Sequence, residues 1–257
     1  GVVSYSIDYR IGTRYMGEAI VDNAKREAMR SPLLRELLMS DSIYIGSNIT
    51  FENLSPLSTY LGKPGDPARG GLPIAEYRRR QAQHAEAERA ALLDTGHFID
   101  RAMSLYGYPH FVCDSGGSIC EIVDPDDPDD AILQHLSRRL LLVHIEGSEA
   151  HTETLIRRFD AAPKPMYYQP AFLDLCWSDY LSETGLTEDA VDPDGFIRWT
   201  YARALAHRIP LYDGMARWGV SVTADDVARV ADAADAVALV ADAIARRAGQ
   251  APDQPKQ

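Results

Sequence analysis

The sequence contains no run of about 18 consecutive apolar residues, the length that a membrane-spanning helix needs. Its first residues also lack the basic, apolar and small-residue order of a secretion signal. Cysteine is scarce, and Cys113, Cys120 and Cys176 are odd in number and show no CxxC spacing. We therefore expect a cytoplasmic protein with no membrane partner, whose cysteines are buried free thiols rather than disulfides or a zinc site.

Several motifs of common enzymes are also missing. The chain has no HExxH, GxSxG or GxGxxG sequence, no pair of CxxC motifs and no EF-hand loop, which argues against the protein classes that these motifs mark. The phosphate-binding motif GxxxxGK followed by Ser or Thr is missing too, because Gly62-Lys63 precedes Pro64. The formal net charge of −12 would repel a phosphate backbone, so we expect no nucleic-acid partner.

The sequence does contain an alternation of strand-like and helix-like segments. Its 257 residues are 46% hydrophobic and 25% charged, as in a globular domain. Apolar runs predict strands at residues 2–7, 108–114, 140–146 and 219–222, and the continuous run at 140–146 predicts burial on both faces. Helical spacing predicts helices between them, including 15–29, 76–93, 149–159 and 233–247. This order predicts an α/β fold with a mostly parallel sheet flanked by helices.

The predicted organisation is a single domain over residues 1–247 and a disordered polar tail over 248–257. The segments at about 40–95 and 165–215 are predicted insertions, the first because it is rich in Gly, Pro, Ser and Asn. The chain opens directly on a strand with no methionine before Gly1, and we expect that an upstream segment has been cut.

Polar residues lie at the carboxyl ends of the first two predicted strands, where parallel sheets bind their ligands. Asp8 and Arg10 follow the first strand, and Asp114, Gly116 and Gly117 end or follow the second. An acid in this position can hold Mg²⁺ or accept a proton from a substrate hydroxyl. Adjacent glycines let backbone N–H donors approach an anion. The structural alternatives are a helix cap or turn for Asp8 and a positive φ for the glycines.

Three segments in this order resemble shikimate- and gluconate-kinase-type P-loop proteins: residues 6–12, 111–118 and 142–159. The closing strand and helix at 218–222 and 233–247 are similar too, and the chain also resembles bacterial proteins labelled only as ATPases. The resemblance implies a three-layer P-loop kinase-like fold with the sheet order 2-3-1-4-5, whose first strand is absent from the chain. In that order an empty position about 10 Å wide separates the strand ending at Asp114 from the strand ending at Glu146.

The resemblance also implies functional roles. ATP would be a substrate and Mg²⁺ a cofactor, with Asp114 positioning Mg²⁺ or its water and Asp8 orienting the accepting hydroxyl or a water. The substrate-binding residues would be Arg10, Arg14, Gly116 and Gly117. The lid cations that contact phosphate would be Arg157, Arg158 and Lys164, where Lys164-Pro165 stands in place of the family's Arg-Pro. The structural alternative for all these cations is an ordinary solvated or helix-end position.

We therefore expect an ATP-binding, magnesium-dependent ATPase or small-molecule kinase, whose partners are a nucleotide and a small-molecule substrate. Two hypotheses stay open beside it. One is a protein that senses a nucleotide or metabolite without chemistry, and the other is a fragment without independent activity because its phosphate-binding loop is not included.

Overall fold

The computed structural model describes residues 1–250, and most of them are helical. The strands within this range are β1 (Val2–Ser6), β2 (His110–Asp114), β3 (Val143–Glu146) and β4 (Val220–Thr223). The α-helices within it are α1 (Ile7–Arg10), α2 (Gly17–Ala28), α3 (Pro32–Met39), α4 (Ser55–Leu61), α5 (Ile74–Leu93), α6 (Thr95–Tyr106), α7 (Ala131–Ser137), α8 (Glu149–Ala161), α9 (Pro170–Thr184), α10 (Pro193–Ala216), α11 (Ala224–Val227) and α12 (Ala233–Gln250). Of the predicted tail, residues 248–250 belong to α12, and residues 251–257 lie outside the described range.

The three-layer P-loop kinase-like sheet that the resemblance implies is wrong. Helices make up 63% of the structure, and the strands of residues 1–250 form only two sheets of two strands each. β1 pairs with β2 and β3 pairs with β4, both in parallel. Each strand is only four or five residues long, and the buried apolar side chains come mostly from helices. Strand-like runs in the sequence therefore predict where the strands lie, but they overestimate how many strands join in one sheet.

The predicted burial of residues 140–146 on both faces is wrong as well. Val143 is 40% exposed and Ile145 is 54% exposed. The helix that follows this strand, α8, packs mainly against α10, so it leaves these side chains uncovered. An apolar run alone does not indicate which faces of a short strand are covered.

β2 and β3 do not pair with each other within the described part of the chain. A cavity of about 290 Å³ lies between them, lined by Cys113 of β2, by residues 140–145 and by Tyr212 of α10. Because β2 pairs only with β1 and β3 only with β4 in residues 1–250, each has one hydrogen-bonding edge that no described strand occupies.

The two segments predicted to be insertions contribute to the core. One cluster of buried side chains surrounds β1 and includes Ile7, Ile11, Met16, Leu92 and Leu133. A second cluster joins α5, α9 and α10 through Tyr77, Tyr168, Leu173, Trp177 and Phe196. The helix α5 contributes to both, so it helps to connect the strand-bearing part of the molecule to the helices that follow.

No helix within residues 1–250 combines the length and apolar character needed to cross a bilayer. Cys113, Cys120 and Cys176 are free thiols, the first half-buried and the other two buried. Burial raises the pKa of the Cys120 thiol to about 11, so this thiol is protonated at neutral pH.

Candidate functional site

β1 and β2 end at the same edge of their sheet. In their parallel register Ser6 lies beside Asp114. Ser6 Oγ then accepts a hydrogen bond from the Tyr9 N–H at 3.3 Å, which caps α1 and starts the helix immediately after the strand. This start places Asp8 in the first turn of α1. The two acids predicted from the sequence therefore lie together at the carboxyl ends of two parallel strands.

Asp8 and Asp114 are electrostatically coupled. Asp8 is half-buried, and burial is the main cause that raises the pKa of its carboxyl, with the negative charge of Asp114 acting in the same direction. Asp114 is exposed and accepts a hydrogen bond from the Gly116 N–H at 3.2 Å. One desolvated and one solvated carboxyl thus share the edge, and such a pair can hold a cation or exchange a proton.

Gly116 and Gly117 form the loop beside these acids. Gly116 has a φ of 70°, and a Cβ at this position would lie 3.4 Å from Asp8 Oδ1. The carbonyl oxygen of Gly117 accepts a hydrogen bond from the Tyr212 hydroxyl of α10, and a Cβ on Gly117 would lie 3.2 Å from that hydroxyl. Both explanations for a glycine therefore hold at Gly116: its backbone is left-handed, and it lies close to the carboxyl of Asp8.

Sequence reasoning missed Glu88, which α5 places next to this loop. Its side chain is fully buried, and Ser118 Oγ donates a hydrogen bond to Glu88 Oε1 at 2.8 Å. Burial raises the pKa of Glu88 to about 8, and the charge of Asp8 adds to this rise. At pH 7 Glu88 is therefore mainly a neutral carboxylic acid beside the two aspartates.

A proton on Glu88 explains why two buried polar atoms lie close together without another partner in the described part of the chain. Glu88 Oε2 and His84 Nδ1 are buried, have no hydrogen-bond partner among the described residues, and lie 3.5 Å apart. Burial lowers the pKa of His84 to about 4, so its imidazole is neutral and Nδ1 can accept a hydrogen bond. A proton on Glu88 Oε2 would let this oxygen donate a hydrogen bond to His84 Nδ1, so each atom would gain a partner.

Helical spacing is the signal that could have revealed Glu88. Arg80, His84 and Glu88 recur every four residues, so they lie on one face of α5. All three are buried. Residues 76–93 fall in a segment predicted to be an insertion, and charged helices are usually solvated. A polar face of this regularity can equally be turned inward.

Replacing Glu88 with Gln tests its protonation state. Because its folded pKa of about 8 exceeds the ordinary value of 4.5, the folded protein holds an extra proton between these pH values, and stability falls as pH rises. His84 has the opposite effect, but only below its ordinary pKa of 6.5. From pH 6.5 to 8 we expect Glu88 to lower the free energy of unfolding by roughly 1 kcal/mol per pH unit, and Glu88→Gln to remove this slope.

Urea denaturation at intervals across pH 6.5–8 measures this slope. Glu86→Gln is the matched control, since Glu86 is exposed on the same helix, and it should retain the wild-type slope. Equal slopes in the wild type and Glu88→Gln would show that Glu88 is ionised in the folded protein.

The two arginines predicted to bind substrate differ in their surroundings. Arg10 is held by Asp94, with Nε at 2.8 Å and Nη2 at 2.7 Å from Asp94 Oδ2. The Tyr15 hydroxyl donates to the same oxygen at 2.6 Å, and the Arg10 guanidinium lies 4.9 Å from the ring centroid of Phe98. Arg14 is exposed. Arg10 is thus already engaged with a carboxylate from the start of α6, which favours its structural interpretation.

The predicted lid cations lie on α8 and in the segment that follows it. Arg157 and Arg158 are exposed on α8, where Arg157 Nη2 donates to Thr154 Oγ1 at 3.1 Å. Lys164 is exposed in the segment between α8 and α9 and lines a different cavity from the one between β2 and β3.

A buried ion pair supports the glycine loop from the other side. Arg208 Nε of α10 donates to Glu121 Oε1, and Arg208 Nη2 donates to the Tyr167 carbonyl oxygen at 2.9 Å. Glu121 Oε2 accepts a hydrogen bond from the Gln169 N–H. Arg208 and Glu121 are both buried. Because Glu121 ends the short helix Ile119–Glu121 after the glycine loop, this pair fixes where that loop returns to the core.

The Asp8–Asp114 pair offers a magnesium ion a solvated carboxylate ligand, although not a complete set of protein ligands. Within the described residues no group of three or more His, Cys, Asp or Glu side chains converges as a complete protein cage. Mg²⁺ does not require one, because it usually keeps several waters and takes one or two carboxylates together with substrate phosphates. Asp114, solvated and free of ion pairs within residues 1–249, has the chemistry of such a ligand.

Comparison of the chain with protein-family models, with curated proteins and with solved structures finds no match.

Proposed function

We propose that this chain is a magnesium-dependent, ATP-using enzyme, either an ATPase or a kinase of a small molecule. The observation that supports the proposal best is the pairing of Asp8 with Asp114 at the carboxyl ends of β1 and β2. Phosphoryl transfer needs a carboxylate that holds Mg²⁺ and another that accepts a proton from the attacking oxygen. The two aspartates differ in solvation in the way that these two roles require.

Asp8 is the proposed general base. Its raised pKa makes it a better proton acceptor than an ordinary aspartate, and its half-buried carboxyl can orient a hydroxyl or a water. Asp114 would hold Mg²⁺ directly or through a water. When bound there, the ion would neutralise charge on the ATP phosphates.

Glu88 sets the charge of this site. If all three neighbouring carboxyls were ionised, they would carry three negative charges and repel ATP. A protonated Glu88 reduces the total to two, which one Mg²⁺ balances. The hydrogen bond from Ser118 links Glu88 to the loop that carries Gly116 and Gly117.

The wider assignment includes a nucleotide and a small-molecule substrate as partners, no nucleic acid, no membrane and a cytoplasmic location. The chain's charge of −12 and its free thiols support it. A lid role for Arg157 and Arg158, which lie on α8, depends on the sequence resemblance alone.

The second candidate is a nucleotide or metabolite sensor without chemistry. The missing GxxxxGK motif favours it, because backbone N–H groups and the lysine of that motif usually hold the phosphates of ATP. A sensor would bind its ligand and release no phosphate.

Asp114→Asn distinguishes these functions in a phosphate-release assay with Mg²⁺ and ATP. For an ATPase we expect release by the wild type, loss of release in EDTA, and at least a tenfold lower rate in the variant at limiting Mg²⁺. Higher Mg²⁺ should restore part of that rate, because the ion is bound more weakly rather than excluded. Asp179→Asn, on the exposed side of α9, is the control. Binding of ATP without any phosphate release would contradict the ATPase and favour the kinase or the sensor.

A further inference from the structure

A second cavity, separate from the paired aspartates, is lined by three cations. Its volume is about 660 Å³, within the range of about 300–1,000 Å³ typical of small-molecule sites. Lys63, Arg69 and Lys164 line it, together with the acids Glu52 and Asp194. We call it the loop cleft, because Lys63 and Arg69 come from the glycine-rich loop between α4 and α5.

This set of cations is unusual for the chain. The sequence has only four lysines and a net charge of −12, yet Lys63 and Lys164 both lie at the loop cleft. Each lysine is next to proline, in Lys63-Pro64 and in Pro163-Lys164-Pro165. Proline restricts the backbone on either side, so the two ammonium groups project from stiff segments.

The glycine-rich loop is fixed in place by close backbone contacts. The Gly65 N–H donates to the Leu72 carbonyl oxygen at 2.9 Å. Gly65 has a φ of 135°, and a Cβ there would lie 2.4 Å from the Val191 carbonyl oxygen. Only glycine permits this approach between the loop and the segment that precedes α10. The backbone that carries Lys63 and Arg69 therefore has a defined position at the cleft.

The acids at the cleft do not satisfy all its cations. Lys63 forms an ion pair with Asp194, but Asp194 also lies 4.0 Å from Arg198, so two cations share one carboxylate. Arg69 Nη2 lies 3.1 Å from Asp192 Oδ1, which leaves other guanidinium N–H groups for a ligand. Lys164 forms no ion pair within residues 1–249.

We propose that the loop cleft binds the phosphate group of a small organic molecule. A phosphate monoester presents three acceptor oxygens for the cations of the glycine-rich loop and for Lys164 on the facing segment, whereas a carboxylate presents two. The hydroxyls of Ser55, Ser58 and Thr59 line the same cleft and add donors. Phe51 and Pro165 supply apolar surface for the organic part of the ligand.

The cleft also adjoins the candidate active site. Phe51 stacks on Tyr9 with ring centroids 4.5 Å apart, and Tyr9 follows Asp8 in α1. A ligand seated in the cleft would therefore lie against Phe51, whose ring stacks on the residue next to the proposed base. The binding proposal does not depend on ATP hydrolysis, because it is based on the cations of the cleft.

Titration calorimetry with inorganic phosphate, without nucleotide, tests the proposal on the full chain. We expect Lys164→Gln and Arg69→Gln to weaken phosphate binding about five- to tenfold each, as for loss of a charge-assisted hydrogen bond. Lys25→Gln is the matched control, because Lys25 is exposed on α2 and is not part of the cleft; its affinity should equal that of the wild type. Lys164 is exposed, so its replacement should leave the fold intact.

Three results would overturn the proposal. They are no heat beyond that of sodium chloride at equal ionic strength, equal weakening by Lys25→Gln, and acetate binding as tightly as phosphate. Because no nucleotide is present, failure here leaves the proposed enzymatic function untouched, and failure of the phosphate-release assay leaves this proposal untouched.

Discussion

Asp8→Asn is expected to hydrolyse ATP, or to transfer its phosphoryl group, about 100- to 1,000-fold more slowly than the wild type, as for loss of a general base. Asparagine keeps the size of the side chain in the first turn of α1, but it cannot take up the proton. Affinity for ATP should change little, since the proposed role of Asp8 concerns the attacking oxygen. Turnover number and ATP affinity, measured separately, show whether the loss lies in the chemical step.

The pH dependence of turnover gives a second measure of Asp8. The base must be ionised, so the wild-type rate should rise with pH through the pKa of Asp8, which burial and Asp114 place above the ordinary value for aspartate. Asp8→Glu should retain part of this rise, whereas Asp8→Asn should show none. If Asp8→Asn keeps more than half of the wild-type rate, Asp8 is not the base, and the role of the aspartate pair has to be reassigned.

Arg208→Met should cause the largest loss of stability, about 3–5 kcal/mol of unfolding free energy, because it leaves a buried charge without its partner. Arg208 and Glu121 are both buried, and the carboxylate of Glu121 loses its counter-ion in the variant. Methionine fills much of the same volume, so lost packing contributes little. Urea or guanidinium denaturation measures the change.

The exposed pair of Arg217 with Asp126 is the matched control, since it is the same type of ion pair in solvent. Arg217→Met should cost no more than about 1 kcal/mol. The double variant Arg208→Met with Glu121→Gln should recover part of the lost stability, because it removes the unpaired charge. Similar losses for Arg208→Met and Arg217→Met would contradict the interpretation of Arg208–Glu121 as a desolvated pair.

The sequence predicts the strands and the neighbourhood of Asp8, Asp114 and Gly116 because these depend on local information. A run of β-branched residues predicts a strand, and the residue at its carboxyl end follows from counting. Parallel pairing then brings two such ends together, as in the register of Ser6 with Asp114.

The side-chain partners and the fold class depend on contacts between distant segments, which local sequence patterns do not reveal. Side chains far apart in sequence form hydrogen bonds only after the helices pack. The pairs are Arg10 with Asp94, Arg208 with Glu121, and Glu88 with Ser118. A polar helix face looks solvated until its neighbours are known, which is why the buried side of α5 was missed. The fold class was wrong for a related reason, since four strand-like runs do not specify how many strands share one sheet.

The parallel pairing in both small sheets also has a consequence for how quickly the chain can fold. The partners Val2 and His110 are about 100 residues apart in sequence, so the first sheet forms only after a long segment has closed into a loop. Val143 and Val220 are likewise joined only across α8, α9 and α10. No hairpin is available to start either sheet, so the helices have to form and pack first. The aspartate pair, which exists only when β1 and β2 have met, is then among the last features of the molecule to be assembled.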